Sequence, residues 1–305
     1  MNALLLTNPN AGRLRGPAGM ARIERALAQA GLSVERVHAR DAASVSAALH
    51  AALAGRDPTE TRVVVAGGDG SIRAALPAVM GTPFPLAILP VGTVNVLARE
   101  LGLPRSLSAA AQVAASGHVR AIDLGLATPG IGTAVPMQSR PFALMAGLGF
   151  DAAVVHSVAP QLKNLVGAFA YVARGLALLA RYRPSQFRVV ADGETIEAEA
   201  WLAVVTNVPR YSHRWRLSPA AEMDDGWLDL CLFQSSSPRE MAGQVVAVLQ
   251  DRHADHPQVR HLRARRFRFD CEPPVCVQLD GDPEGMTPLE IEVAEGALSV
   301  IVSPI

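Results

Sequence analysis

A run of β-prone apolar residues that ends abruptly in glycine constrains this chain more than any other feature. Val63, Val64, Val65 and Ala66 lead into Gly67, Gly68, Asp69, Gly70 and Ser71. An uninterrupted apolar run of this length suits a central strand covered on both faces. The glycines behind it permit a tight turn and a close approach of backbone to a ligand. After Ser71, the residues Ile72, Ala75, Leu76 and Val79 recur at helical spacing. The pattern predicts a strand, a turn and a helix whose free N–H groups and positive dipole end face an anion. Asp69 then stands where it can meet a metal or a hydroxyl, although Gly-Gly-Asp-Gly alone is also compatible with a plain turn.

Two further segments repeat the logic. Leu86, Ala87, Ile88, Leu89 and Pro90 read as a strand that leads into Val91, Gly92, Thr93, Val94 and Asn95 and then a helix. Near the start, Ala3 to Thr7 would be a strand that empties into Asn8, Pro9, Asn10, Ala11 and Gly12. Strand ends carrying Gly, Asn, Ser or Thr line one crevice at the carboxyl edge of an open α/β sheet. The ligand expected there is a nucleoside triphosphate. Its phosphates would meet the backbone of Gly67, Gly68, Asp69, Gly70, Ser71, Ile72 and Arg73, together with Gly92, Thr93 and Asn95 and the Asn8 to Gly12 loop.

A change of rhythm near residue 124 predicts two domains. Up to that point short strands alternate with alanine-rich helical stretches, the pattern of a parallel sheet covered by helices. Beyond it the chain is strand-rich, interrupted by helical stretches near residues 162–181 and 239–250, and a mostly antiparallel domain over 125–294 is expected. With 305 residues, half of them apolar, a large core is available. Lys plus Arg (28) equals Asp plus Glu (28), which argues against a nucleic-acid binder working through bulk charge. No N-terminal segment combines a basic start, an apolar stretch and a small-residue cleavage site, and the first residues go almost directly into a strand, so no secretory signal is expected. Residues 162–182 are apolar, yet Lys163, Asn164, Arg174 and Arg181 interrupt them, so they read as a packed helix rather than a membrane span. Cys231, Cys271 and Cys276 have no metal-ligand spacing and read as reduced thiols.

The ordered set Asn8-Pro9-x-Ala11-Gly12, Gly67-Gly68-Asp69-Gly70-Ser71 and Pro90-x-Gly92-Thr93-x-Asn95 resembles the diacylglycerol kinase catalytic-domain family, which includes sphingosine kinases and bacterial soluble lipid kinases. The resemblance continues through Ile122-Asp123-Leu124-Gly125, Gly147-Leu148-Gly149-Phe150-Asp151-Ala152, Leu217-Ser218-Pro219, Asp224-Asp225-Gly226-Trp227-Leu228-Asp229 and Val277-Gln278-Leu279-Asp280-Gly281-Asp282. Gly-Gly-Asp-Gly is shared with NAD kinases and phosphofructokinases, so the series carries more weight than that motif.

The resemblance implies an α/β N-terminal domain with an open parallel sheet of the NAD-kinase and phosphofructokinase type. It also implies a β-rich, sandwich-like C-terminal domain whose final segment, 295–305, returns to the first. It implies transfer of the γ-phosphoryl group of ATP, with Mg²⁺, to a lipid hydroxyl; diacylglycerol comes first, with a sphingoid base or another lipid alcohol behind it. The protein would be cytoplasmic, visit the membrane surface transiently, and bind no nucleic acid. Catalytic carboxylates are implied at Asp69, Asp280 and Asp282, with Asp282 at the family's general-base position. Asp280 would support Asp282, contact a metal or cap the loop. A structural magnesium is implied at the Asp225 side chain and the carbonyls of Glu222 and Trp227.

Departures from the family pattern bear on this reading. The base position is usually glutamate in Asp-Gly-Glu, and aspartate is one methylene shorter, a displacement of about an ångström. Val96 stands where many relatives have aspartate, and Tyr211-Ser212-His213-Arg214-Trp215 where they often show Tyr-Gly-Gly. A kinase with a soluble acceptor and a catalytically silent nucleotide or lipid sensor are the alternatives. The group Asp251, His253, Asp255, His256 and His261 reads as a polar connection. Arg260, Arg263, Arg265, Arg266 and Arg268 read as a solvated face, with attraction to anionic headgroups as the sharper alternative.

Overall fold

The apolar runs of the first half become neighbouring parallel strands. β1 (Asn2–Thr7), β2 (Ser33–Val37), β3 (Thr61–Gly67) and β4 (Leu86–Pro90) lie in the order β2-β1-β3-β4. In the computed structural model, which describes residues 1–7, 16–130, 138–157, 178–179, 181–211 and 215–304, these strands belong to a unit formed by Met1–Leu124 and Glu295–Ile305. Register places Leu5 beside Val64 and Val64 beside Ala87. These side chains are sealed on one face by Ile23 and Leu27 of α1 (Gly16–Gln29) and by Ala110, Ala111 and Ala114 of α5 (Leu107–Ser116). Continuous burial of Val63, Val64, Val65 and Ala66 is what a strand covered on both sides requires.

Helices α2 (Ala42–Leu53) and α3 (Asp69–Val79) pack against each other. α2 starts with a capping box, in which Asp41 accepts from the Ser44 amide at 2.9 Å and the Ser44 hydroxyl accepts from the Asp41 amide at 3.1 Å. Only residues 96–100 form the helix after β4, here α4 (Val96–Glu100).

The second unit, Gly125–Ala294, is built on antiparallel pairing. Its strands are the end of β5 (His118–Pro129), β6 (Arg140–Phe142), β7 (Met145–Gly149), β8 (Ser185–Ala191), β9 (Glu194–Thr206), β10 (Leu228–Gln234), β11 (Val259–Ala264), β12 (Arg266–Glu272), β13 (Cys276–Leu279), β14 (Asp282–Met286) and the first part of β15 (Leu289–Val302). The path runs β14-β13-β7-β9-β8-β12-β15, with β10 pairing β9 and β11. Helix α6 (Phe150–Ser157) follows β7 directly. The core gathers Phe142, Phe187, Val189, Val205, Leu230, Phe267, Phe269, Leu279 and Ile291. From Glu295 onward, β15 belongs to the first unit, where Val300 pairs with Leu86.

Strand alternation also explains the arginine run. Phe267 and Phe269 point into the core, so Arg266 and Arg268 point away from it. There Arg266 pairs with Glu290 and Arg268 with Asp270 at 3.1 Å, the arrangement of a solvated and partly neutralised face. His253 is buried, stacks against Phe233 and donates from Nε2 to the Leu217 carbonyl at 2.8 Å. It serves the core, in a single turn of 3₁₀ helix at His253–Asp255, and strand β11 begins a few residues later. All three cysteines are free. Among the described residues no helix is long and apolar enough to cross a membrane. Most of the 162–182 segment lies outside the described residues.

Phe267 is fully buried and stacked on Phe269 with ring centroids 6.1 Å apart. Truncation to alanine should cost about 3–5 kcal/mol of unfolding free energy, measurable as a drop in urea midpoint at unchanged m-value.

Candidate functional site

Residues after β3 and β4 meet through their glycines. A Cβ on Gly92 would lie 2.5 Å from the Gly68 Cα and 2.6 Å from the Asn95 Oδ1, and one on Gly67 would lie 2.4 Å from the Ser71 Oγ. Side chains are excluded at both positions by contact alone. Gly92 N–H donates to the Gly67 carbonyl at 3.2 Å, which holds the two loops together. Gly70 is different: nothing lies within 4 Å of its added Cβ, so it borders open space.

Asp69, the first residue of α3, joins the loops a second time. Its Oδ2 accepts from the Val96 amide at 3.0 Å and its Oδ1 from the Leu97 amide at 3.1 Å. The carboxylate therefore caps the start of α4, where a negative charge is favoured by the exposed amides and the helix dipole. Asn95, which precedes α4, has φ of 54°, a left-handed conformation that asparagine tolerates better than most residues. Its side-chain amide donates to the carbonyls of Gly92 at 2.9 Å and Pro90 at 3.2 Å. No side chain caps the start of α3, whose N-cap is Gly68. An uncapped helix start beside an open glycine presents N–H donors to an anion. Thr93 is exposed beside this loop, and a small pocket next to it is bordered by Asn95, Arg99 and Arg105.

Gly67, Gly68, Asp69, Gly70, Ser71, Ile72, Gly92, Thr93 and Asn95 thus form one constellation, with Arg73 one helical turn into α3. Asn8, Pro9, Asn10, Ala11 and Gly12 lie outside the described residues.

In the second unit, Asp280 and Gly281 form the two-residue tip of the β13–β14 hairpin, with φ of 49° and 86°. Positive φ at both positions is the type I′ geometry that favours Asp-Gly. The Asp280 carboxylate accepts three amides, from Ala143, Leu144 and Met145, each at 2.9 Å, and its own N–H donates to the Met145 carbonyl at 2.9 Å. Of the three roles open to Asp280, the geometry displays the loop cap. Asp282 follows as the first residue of β14, half-buried and paired with Leu279. Glu284, two residues on, pairs with Arg140 at 3.1 Å.

Beside the hairpin lies a polar cluster whose residues stand in the quoted motifs but receive no role from the sequence. Asp151, on α6, accepts from Gln278 Nε2 at 2.9 Å and bonds the Tyr211 hydroxyl. Burial pushes the Asp151 carboxyl above its ordinary range, against the pull of these two donors. Burial also raises Tyr211, and the Asp151 charge raises it further. The signal in the sequence is Gly147: a Cβ there would sit 2.1 Å from the Asp151 Oδ2 and 2.6 Å from the Gln278 Nε2.

The turn at Asp225 is occupied by the protein's own donors. Its Oδ1 accepts from the Trp227 amide at 3.0 Å, and its Oδ2 pairs with Arg263. Arg263 and Arg265 each lie 5.9 Å from the Trp227 ring centroid. Among the described residues no group of three or more His, Cys, Asp or Glu side chains could hold a metal ion. A magnesium ion at Asp225 would have to displace a guanidinium and share the site with two arginines, so the side chains as folded do not fit it.

An α/β unit followed by a β-rich unit is a NAD-kinase-like fold. The structure of yeast NADH kinase complexed with NADH matches it with a TM-score of 0.53 at 11% identity, over 99% of this chain and 83% of that one. Residues 2–127 match the diacylglycerol kinase catalytic domain, and residues 145–302 the YegS C-terminal NAD kinase beta sandwich-like domain. A diacylglycerol kinase of Mycobacterium tuberculosis is 33% identical over 97% of this chain and 93% of its own length. One of Bacillus subtilis is 28% identical over 94% and 92%. A crystal structure of a diacylglycerol kinase from Bacillus anthracis str. Sterne matches with a TM-score of 0.74 at 23% identity, over 99% of this chain and 97% of that one. The fold and these matches define a kinase. The chain belongs to the diacylglycerol kinase catalytic-domain family.

Asp69→Ala should remove about 1–2 kcal/mol of stability, the usual loss of a helix cap, and speed amide exchange at Val96 and Leu97 at the start of α4 above that in β3 and β4. Without nucleotide, the melting temperature should be the same in millimolar Mg²⁺ and in EDTA, because Arg263 already neutralises Asp225. A rise of several degrees with Mg²⁺ would show that the ion displaces the guanidinium.

Proposed function

We propose that this chain transfers the γ-phosphoryl group of ATP to the hydroxyl of a lipid, with diacylglycerol the first candidate. The observation that carries the nucleotide half is the pair of glycine loops clamped by Asp69, with an uncapped helix start and an open Gly70 beside them. The relatives' name, diacylglycerol kinase, supports the acceptor class.

Bound ATP would supply the phosphoryl group, with Mg²⁺ neutralising its phosphates. The chain's own part is positioning. Backbone N–H groups at residues 68–70 and the hydroxyls of Ser71 and Thr93 contact phosphate oxygens without bulk, and Arg73, Arg99 and Arg105 add positive charge. Asp69 serves by fixing the relation of the two loops, and Asp280 by fixing the hairpin. Asp282 takes the proton of the attacking hydroxyl. Its side chain is a methylene shorter than the usual glutamate, and the rigid type I′ tip before it sets the backbone that must compensate. The enzyme would work from the cytoplasm and meet its acceptor at the membrane surface.

The test is transfer of labelled phosphate from ATP and Mg²⁺ to a total lipid extract in mixed micelles, with wild type beside Asp282→Asn and Gly92→Ala. A labelled lipid is expected with wild type and identifies the acceptor by its mobility. Asp282→Asn should lose about 10²–10⁴ in kcat with ATP affinity kept, whereas Gly92→Ala should lose ATP affinity through collision with Gly68. Label on a water-soluble product instead would point to a soluble acceptor. ATP binding with no turnover would point to a silent sensor, for which the Val96 and Asp282 departures are the motive.

A further inference from the structure

Gln278 is buried, with 2% of its surface exposed, in a strand whose other residues are apolar or cysteine. A buried amide persists only when its donors and acceptor are matched, since an unpaired one is costly. Both ends of Gln278 are matched. Its Oε1 accepts from the Gly281 amide at 2.6 Å, and its Nε2 donates to the Asp151 Oδ2 at 2.9 Å. Gly281 is the second residue of the type I′ tip and the immediate neighbour of Asp282. Asp151 is anchored in turn by Tyr211 and by its place on α6, whose His156 Nε2 donates to the Val277 carbonyl at 2.8 Å. Space for this contact exists because residue 147, opposite Gln278 in the β7–β13 register, is glycine.

Asp280 holds the hairpin tip from one side by accepting the amides of residues 143–145, while Gln278 holds it from its own strand. We infer that Gln278 is a positioning residue: it ties the half-buried Asp151 to the hairpin tip and so sets where Asp282 presents its carboxylate. This rests on the reading of Asp282 as the base. The physical need is specific to this chain's shorter base. A carboxylate on a shorter arm has fewer torsions with which to reach an acceptor, so the backbone under it must be held more closely. Asp151 acts through Gln278 and needs no contact with either substrate.

The polarity of the Gln278–Asp151 contact supplies the experiment. Gln278→Met keeps the volume and deletes both hydrogen bonds. Gln278→Glu keeps the acceptor for Gly281 but sets a carboxylate against Asp151. Asp151→Asn combined with Gln278→Glu exchanges amide and acid, restoring one donor between them and leaving an acceptor each for Tyr211 and Gly281. The readouts are kcat, KM for ATP, melting temperature, and amide hydrogen exchange at Gly281.

Gln278→Met and Gln278→Glu should each lower kcat by about a hundredfold, the scale of an ångström's misplacement, with KM for ATP unchanged. Exchange at Gly281 should accelerate in Gln278→Met. The double variant should recover at least tenfold of the kcat lost by Gln278→Glu, which a packing defect would not do. Unchanged kcat in Gln278→Met, or no recovery in the double variant despite a wild-type melting temperature, overturns the inference. Unchanged exchange at Gly281 in Gln278→Met overturns it as well. Full turnover by Asp282→Asn would instead sink the assignment of the base, a failure visible in that variant alone.

Discussion

In the first unit everything near the ligand depends on how two strand ends are held together. Parallel strands buried on both faces leave their loops at one edge, but they do not set the distance between neighbouring loops. Here that distance is set by contact between Gly68 and Gly92 and by the Asp69 carboxylate on the amides of Val96 and Leu97. A carboxylate bound to two amides at a helix start is a strong tether, because charge-assisted hydrogen bonds and the dipole act together. The helix it caps has only five residues, too few to be stable alone, so the cap and the packing of Val96, Leu97 and Ala98 must sustain it.

The second unit uses the same device. Asp280 sits at a hairpin tip and gathers three amides from residues 143–145. In both units an aspartate beside glycine is engaged by backbone amides. That assignment shifts emphasis among the acidic residues: Asp69 and Asp280 build the geometry, and the proton transfer proposed above is assigned to Asp282. It also separates the burden of charge. At the Asp225 turn the carboxylate charge is met by Arg263.

Much of the fold was legible because burial on both faces writes a continuous apolar run, as at Val63 to Ala66, and burial on one face writes alternation, as in Arg266-Phe267-Arg268-Phe269. The glycines were legible for a related reason: where backbone meets backbone, as at Gly92, no side chain fits. Other parts were hidden. A polar connection was expected through His253 and its acidic neighbours, yet His253 is a core residue, because burial of a histidine depends on a carbonyl from Leu217 that is distant in the chain. The short strand β6, the hairpin partner β14 and the strand β11 lack a run long enough to announce them.

What the sequence by itself determined was the alternation of strand and helix up to residue 124, the strand-rich remainder, and the glycine loops that suit a phosphate, since each follows from local periodicity and local steric allowance. Tertiary structure alone decided which partner each polar side chain would find. Asp69 could have faced a metal, a hydroxyl or an amide, and Asp225 an ion or an arginine, and local pattern is the same in every case. Gln278 and Asp151 are 127 residues apart and meet only because β13 pairs with β7 and α6 follows β7. Hydrogen bonds of that separation are fixed by strand pairing and register, which the chain acquires only when the whole unit folds.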